Sequence, residues 1–157
     1  MIPRDGQCDS LWQHTGELYQ SGKLVPGEHY DVVIVGGGIT GMATALQLQR
    51  AGKRCIVVEA HNLCFGTTGG TTAHLNTLLD TPYYTIAKNF GKENAILVAH
   101  ATKEAIALVK DNIAAYQVDC GFADAAGYVY AQDAKQESEL EDIQVSATEA
   151  GVVVNTL

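Results

Sequence analysis

The sequence predicts an α/β fold built on a parallel β-sheet, and three features of its first half support this prediction. Two short apolar runs, residues 30–35 and 55–59, are typical of strands covered on both faces of a parallel sheet. Residues 39–50 between them are mostly helix formers, with apolar positions at helical spacing. We therefore interpret segment 30–59 as one complete strand–helix–strand crossover.

The segment before this crossover has a different character. It is mixed and polar, and its glycines interrupt any long periodicity: Gly6, Gly16, Gly22 and Gly27. We predict an irregular N-terminal arm over residues 1–29 that lies on the domain, with one helical turn around residues 10–13. The domain itself is expected to occupy residues 30–157.

The turn between the first strand and the helix holds three glycines in the spacing G-x-G-x-x-G. Gly36 permits a tight turn, Gly38 lets a pyrophosphate approach the backbone, and Gly41 lets the helix lie close to the strand. Ile39 and Thr40 open the helix, whose N-terminal N–H groups and dipole favour a phosphate. Because a strand precedes the pattern and a helix begins inside it, the pattern predicts a Rossmann-like dinucleotide-binding fold.

Glu59 ends the second strand, where this fingerprint places an acidic residue. A carboxylate at that position accepts hydrogen bonds from the ribose hydroxyls of an adenosine, and it repels the 2′-phosphate of NADP. The crossover alone leaves FAD and NAD both open, since both use it. The residues therefore predict a site for an adenine dinucleotide, with NADP disfavoured.

A glycine- and threonine-rich segment, residues 66–74, follows the crossover and is called the threonine loop below. Its glycines expose backbone N–H groups, and Thr67, Thr68, Thr71 and Thr72 add hydroxyl donors. Such a composition suits an anionic ligand, with a flexible surface loop as the alternative. His74, at the end of the loop, is either a proton-handling residue beside the ligand or a polar surface residue.

The second half of the chain predicts mainly helices. We expect them at residues 73–79, 83–90, 92–117 and 136–150, and short strands at 127–131 and 152–154. The helix at 92–117 is the longest, and its apolar residues share one stripe. That stripe consists of Ile96, Ala99, Ile106, Val109, Ile113 and Tyr116.

The composition excludes several classes of function. The chain has 157 residues, and a formal net charge of -8 makes nucleic acid and anionic membranes unsuitable partners. Neither a membrane-spanning run nor a signal peptide is recognisable, so we expect a cytoplasmic protein. The cysteines, at positions 8, 55, 64 and 120, lack metal-site spacing and are expected to be reduced thiols, with no metal bound.

A family resemblance narrows the choice of dinucleotide. Segment 30–59 followed by the threonine loop resembles the N-terminus of the D-amino-acid-oxidase-like FAD-dependent oxidoreductases. It is especially similar to a subgroup whose longer members carry a Rieske iron–sulfur domain, a similarity that extends to Ser10-Leu11-Trp12 and Gly127-Tyr128. In that superfamily the glycine turn holds the FAD pyrophosphate, the acidic residue holds its ribose, and the following loop runs toward the flavin.

The resemblance implies that FAD is the cofactor and that the enzyme oxidises a small amine, amino acid or hydroxy acid by hydride transfer. The cofactor-binding residues that we predict from the fingerprint and the resemblance together are Gly36, Gly38, Ile39, Thr40, Gly41, Glu59, Ala60, Thr67, Thr68, Gly70, Thr71 and Thr72. No residue of the chain is assigned as the catalytic base. The redox chemistry would belong to the cofactor, and the protein would position it.

Family members are considerably longer than this chain and include a substrate domain. We therefore expect residues 30–157 to form an incomplete Rossmann-like fold, the N-terminal part of a flavoenzyme without its substrate domain. Apolar surface exposed in this way would favour homo-oligomers. The small-molecule substrate would bind to the full-length protein, and the cysteine–histidine pairs of a Rieske cluster are not present in the sequence.

Two alternatives remain at this point. The chain could be a non-catalytic module that binds NAD or another nucleotide, although such domains usually continue directly into another helix and strand. It could also be an inactive fragment that folds through oligomer contacts and binds nothing. A melting-temperature shift with FAD, with NAD or with neither distinguishes the three.

Overall fold

The computed structural model describes residues 10–14, 19–22 and 24–156. In chain order its elements are α1 (Leu11–His14), β1 (Val32–Val35), α2 (Ile39–Arg50), β2 (Cys55–Val58), α3 (Tyr83–Phe90), α4 (Lys92–Tyr116) and α5 (Ala134–Glu149). They belong to two compact units, one ending at His74 and the other beginning at Leu75. No helix among the described residues is long and apolar enough to cross a membrane.

The first unit contains the predicted strand–helix–strand crossover. β1 and β2 form a two-stranded parallel sheet, with Val32 opposite Cys55 and Val35 opposite Val58. Helix α2 connects the two strands and contacts both of them. The described part of this unit is thus α/β with a small parallel sheet, an arrangement compatible with part of a Rossmann-like FAD-binding fold.

The end of α2 follows a known helix-terminating pattern. Gly52 has a φ of 79° in the left-handed region, and its N–H donates to the Gln49 carbonyl at 2.9 Å. The Lys53 N–H donates to the Leu48 carbonyl at 2.9 Å. This pair of bonds is the Schellman motif, which satisfies carbonyls left without helical donors. It turns the chain back toward β2, so the two strands run parallel.

The two strands are less covered than their sequence predicts. We expected both faces of the sheet to be buried, but Val33 and Val35 are 61% and 85% exposed. Val32 and Ile34, on the other face, are partly covered. The correction has a simple geometrical reason: alternate side chains of a strand point to opposite faces, and α2 lies against both strands without burying these two.

The second unit is helical, and its core is built largely from small side chains. Tyr83 is 2% exposed, and its hydroxyl donates to the Thr77 carbonyl at 2.7 Å. The other buried hydrophobic residues are Ile86, Ala95, Ala99, Ala147, Ala150 and Val152. Alanines on α4 and α5 let each of these helices approach α3 closely. Two members of the predicted α4 stripe, Ile96 and Tyr116, are instead 45% and 53% exposed.

Helix α5 starts two residues earlier than predicted because an aspartate caps it. The Asp133 side chain accepts a hydrogen bond from the Gln136 N–H at 2.9 Å. The Gln136 side chain in turn accepts from the Gln132 N–H at 2.8 Å. This exchange resembles a capping box, except that the Gln136 side chain accepts from the residue before the cap and not from the cap residue itself.

Three predicted elements are absent from the described residues. Residues 73–79 form no helix, and Ala73, where the helix would begin, has a φ of 61°, which lies outside the α-helical region. Residues 127–131 and 152–154 form no strand, since no other segment pairs with their backbone groups in a ladder. Val152 is buried against the helices instead, and its N–H donates to the Ala147 carbonyl at 2.8 Å.

The N-terminal arm is described only in part. Helix α1 supplies the single helical turn that we expected around residues 10–13. The division into an arm, 1–29, and a domain, 30–157, stays a prediction, because residues 1–9, 15–18, 23 and 157 lie outside the described part.

Candidate functional site

The glycine turn joins β1 to α2 and brings the strand end close to the helix. Gly36 has a φ of 103°, which favours glycine, and its N–H donates to the Val58 carbonyl at 2.8 Å. A Cβ atom on Gly41 would collide with the Gly36 carbonyl oxygen and lie 3.4 Å from Ile34 Cγ2. The close approach of helix and strand thus depends on Gly41 having no side chain.

Gly37 is a component of this turn that the fingerprint leaves unspecified. Its N–H donates to Glu59 Oε2 at 2.7 Å, and the residue is buried. A Cβ atom here would lie 2.6 Å from Leu63 Cδ2 and 3.3 Å from Glu59 Cβ, so the Leu63 side chain would have to move. The unbroken run of three glycines, residues 36–38, was the sequence signal for a role of Gly37 in this turn. Gly37 was not among the predicted site residues.

The Glu59 carboxylate lies at the end of β2, beside the glycine turn. Its second oxygen, Oε1, accepts the His61 N–H at 2.9 Å. The N–H of Gly37, followed by that of His61, stabilises the charged form and lowers the pKa of Glu59 below its ordinary value. Each carboxylate oxygen keeps a further lone pair, and the side chain is exposed, so ribose hydroxyls could still donate to it.

Helix α2 presents its first backbone donors at the same place. Helical bonding starts with the Met42 N–H, which donates to the Gly38 carbonyl at 2.9 Å. The N–H groups of Ile39, Thr40 and Gly41 therefore have no acceptor within the helix. Together with the helix dipole they create an environment that favours a negative charge.

The threonine loop reaches this helix start through one side chain. Thr68 Oγ1 accepts the Ile39 N–H at 3.1 Å. The same oxygen lies 3.2 Å from the position that a Cβ atom of Gly38 would take. A hydroxyl, an open glycine backbone and helix N–H groups thus meet within one small region, which fits the residue types that hold a pyrophosphate.

The other predicted residues of the loop lie further along it. Gly70 closes a turn, with its N–H donating to the Gly66 carbonyl at 3.1 Å. Thr71 Oγ1 accepts the Ala73 N–H at 3.2 Å. Thr67 and Thr72 have exposed side chains, as do Ala60 beside Glu59 and His74 at the end of the loop. The geometry therefore brings Gly38, Glu59 and Thr68 around the helix start and leaves these residues at its margin.

The N-terminal arm contacts the threonine loop directly. The Ser10 hydroxyl donates to the Gly69 carbonyl, and the Trp12 indole N–H donates to the Thr71 carbonyl at 2.7 Å. Neither residue was among the predicted site residues, although the resemblance already included Ser10-Leu11-Trp12. Composition offered no signal for these contacts, because they join segments far apart in the chain.

Three of the four cysteines lie in the described part of the chain. Cys55, Cys64 and Cys120 are free thiols. Across residues 10–14, 19–22 and 24–156, no three histidine, cysteine, aspartate or glutamate side chains converge in a way that could hold a metal ion. Cys8 lies outside the described residues.

The chain is similar in sequence to several curated bacterial proteins, three of which illustrate the range. The chain is 29% identical over 144 residues to the putative Rieske 2Fe-2S iron-sulfur protein YhfW of Bacillus subtilis, covering 92% of this chain and 28% of that protein. It is 32% identical over 140 residues to gamma-glutamylputrescine oxidoreductase of Escherichia coli, covering 84% and 33%. It is 26% identical over 125 residues to the probable oxidoreductase OrdL of Haemophilus influenzae, covering 80% and 28%.

These matches span most of this chain but only 28% to 33% of the three relatives. No solved structure matches the chain significantly. The sequence model of the DAO family, described as FAD dependent oxidoreductase, matches residues 31–157. That range contains the glycine turn, Glu59 and the threonine loop. This chain therefore belongs to the DAO family of FAD-dependent oxidoreductases, and FAD is the cofactor of that family.

Proposed function

We propose that this chain is the FAD-binding portion of a flavin-dependent oxidoreductase, folded as the N-terminal part of a Rossmann-like FAD-binding fold. The observation that carries the proposal is the hydrogen bond from Gly37 to Glu59, at 2.7 Å. It ties the carboxylate that would bind ribose to the turn that would bind pyrophosphate. Family membership supplies the identity of the dinucleotide.

Each part of the proposed site would act on one part of FAD. Glu59 would accept hydrogen bonds from the ribose hydroxyls of the adenosine, and its ionised state suits that task. The N–H groups at the start of α2 would bind the pyrophosphate, with Gly38 leaving room for it. Thr68 and the remaining threonines of the loop would donate hydroxyl hydrogen bonds along the cofactor.

The substrate class is also a proposal. When bound, FAD supplies a hydride acceptor, and the protein contributes binding and orientation. We propose that the whole protein oxidises a small amine, amino acid or hydroxy acid. An amine receives support from one relative, whose name is gamma-glutamylputrescine oxidoreductase.

We further propose that exposed apolar surface mediates association of identical chains. The open face of the first unit's sheet supports this, with Val33 and Val35 largely exposed and Val58 42% exposed. Sedimentation at several protein concentrations tests it. We expect the wild-type chain to associate and the double variant Val33→Thr, Val35→Thr to remain monomeric. A strictly monomeric wild-type chain would refute this proposal.

The experiment that tests FAD binding compares four ligands by their effect on the melting temperature. A ligand that binds only the folded state stabilises it by about 2.7 kcal/mol at 100 times its dissociation constant. We expect FAD and ADP to raise the melting temperature, because both carry the adenosine and the diphosphate. NAD carries the same two groups, so FAD should give the larger shift of the two dinucleotides. FMN lacks the adenosine and should give no shift. A shift with NAD and none with FAD would instead favour a nucleotide-binding module without flavin chemistry.

A further inference from the structure

The N-terminal arm and the threonine loop are joined by two hydrogen bonds in the same direction. Ser10 and Trp12 are the donors, and the carbonyls of Gly69 and Thr71 are the acceptors. Both pairs are separated by 59 residues along the sequence, so donors two residues apart meet acceptors two residues apart. The arm therefore runs alongside the loop in register over this stretch and contacts it at two positions.

The loop is held on its other side by the crossover. Thr68 Oγ1 accepts the Ile39 N–H at the start of α2, one residue before the first arm contact at Gly69. Gly69 itself is buried. Residues 68–71 thus lie between the helix start and the arm, and the two sets of contacts together fix this short stretch.

We propose that Ser10 and Trp12 are positioning residues that hold the threonine loop in the conformation required for the diphosphate and flavin side of FAD. The inference rests on the proposed FAD site. Neither residue needs to touch the cofactor, because both act through backbone carbonyls of the loop. With those carbonyls engaged by the arm, the loop loses conformational freedom before the cofactor arrives, and preorganisation of this kind raises affinity.

FAD and AMP differ in the part of the proposed site that each would use. AMP contains the adenosine, which Glu59 would bind, but it lacks the second phosphate and the flavin. Loss of the arm contacts should therefore weaken FAD binding and leave AMP binding nearly unchanged. A merely structural role in folding would instead weaken both, because it would lower the fraction of chains with any site formed.

The test uses the full chain with Trp12→Phe, which removes the indole N–H and keeps an aromatic ring, and Ser10→Ala, which removes the hydroxyl. Ser10→Thr restores a hydroxyl and should behave as wild type. Leu11→Ala is the matched control, since Leu11 lies in the same short helix and is 67% exposed. Hydrogen exchange of residues 66–74 and the dissociation constants of FAD and AMP are measured for each variant.

Loss of one hydrogen bond should weaken FAD binding by about 3- to 10-fold. Exchange in the loop should accelerate in Trp12→Phe and Ser10→Ala only, with AMP affinity within about twofold of wild type, a change of less than 0.5 kcal/mol. Unchanged loop exchange in both variants would overturn the proposal, as would a parallel loss of FAD and AMP binding. If the wild-type chain binds no FAD, the proposed function fails, and loop exchange alone then decides whether the arm orders the loop.

Discussion

At the scale of single residues, the Glu59 carboxylate has the most clearly defined surroundings. Its two oxygens each accept a backbone N–H group, that of Gly37 at 2.7 Å and that of His61 at 2.9 Å. Hydrogen bonds to a charged group are stronger than those between neutral groups. The same side chain therefore serves two purposes, since it fastens the glycine turn and keeps a negative charge at the end of β2.

The lowered pKa of Glu59 predicts a pH dependence of stability. A carboxylate with a folded-state pKa below its unfolded value, about 4.3, stabilises the fold above that value. The contribution is lost as pH falls through the lower, folded-state pKa. Glu59→Gln should thus melt below wild type at pH 7, and the gap should close under acid conditions. Melting temperatures from pH 7 to pH 3 test this, and a gap that is constant or widens toward low pH would contradict it.

Gly41 supports a prediction about packing. In Gly41→Ala the new Cβ would collide with the Gly36 carbonyl oxygen, which belongs to the backbone and cannot rotate away. Overpacking of this kind costs about 1–3 kcal/mol, so the free energy of unfolding should fall by that amount. Gly22→Ala is the control, because a Cβ there meets nothing within 4 Å. Equal stability of the two variants in urea titrations would show that α2 is not held against β1 in this way.

At the scale of elements, the strand–helix–strand crossover was the part that the sequence predicted best. The strands at 32–35 and 55–58 and the helix at 39–50 lie where the apolar runs and glycines indicated. Gly52 ends the helix as expected. These elements depend on local signals: a β-branched run, a glycine that adopts positive φ, and a periodic helical pattern.

Two of the elements that the sequence mispredicted, the strands at 127–131 and 152–154, depend on partners rather than on local signals. Residues 127–131 have strand-like composition, but a strand exists only when a neighbour pairs with it, and no described segment does so. The contacts of Ser10 and Trp12 with the loop were equally invisible, because residues 59 positions apart must meet to form them. Pairing and long-range contacts are therefore what single-sequence patterns could not supply.

The start of α2 gives a prediction at this scale. Thr68 accepts the Ile39 N–H from outside the helix, whereas Gly38, at the cap position, has no side chain to do so. Thr68→Val keeps the shape of the side chain and removes the acceptor, so the loss of a cap should cost about 0.5–2 kcal/mol of stability. Thr68→Ser should retain it. Chemical denaturation compares the three chains, and a Val variant as stable as wild type would show that Thr68 is not the cap.

At the scale of the whole molecule, burial is distributed unevenly between the two units. The buried hydrophobic residues of the described part all belong to the second unit, from Tyr83 to Val152. The first unit carries the proposed cofactor site, and its sheet has an exposed face at Val33 and Val35. A region with few buried contacts has low local stability and gains most from a ligand that binds only its folded form. FAD should therefore protect the first unit from hydrogen exchange more than the second.

At this scale we expect the glycine turn and Glu59 together to bind FAD. The most direct test is an equilibrium titration with FAD in which binding is monitored through the visible absorption spectrum of the flavin. The titration compares wild type with Gly38→Val. The backbone at Gly38 is extended, with a φ of -77°, so valine is conformationally acceptable there. Its Cβ would lie 3.2 Å from Thr68 Oγ1, and its side chain would fill the space proposed for the pyrophosphate. Gly22→Val is the control, since no atom lies within 4 Å of a Cβ at that position.

The wild-type chain and Gly22→Val should each bind one FAD saturably, and a folded Gly38→Val chain should bind none. Circular dichroism verifies that the variant keeps its fold. FAD binding of equal strength in Gly38→Val would contradict the assignment of the pyrophosphate site, and a wild-type chain that takes up no FAD would contradict the claim that these residues bind the cofactor.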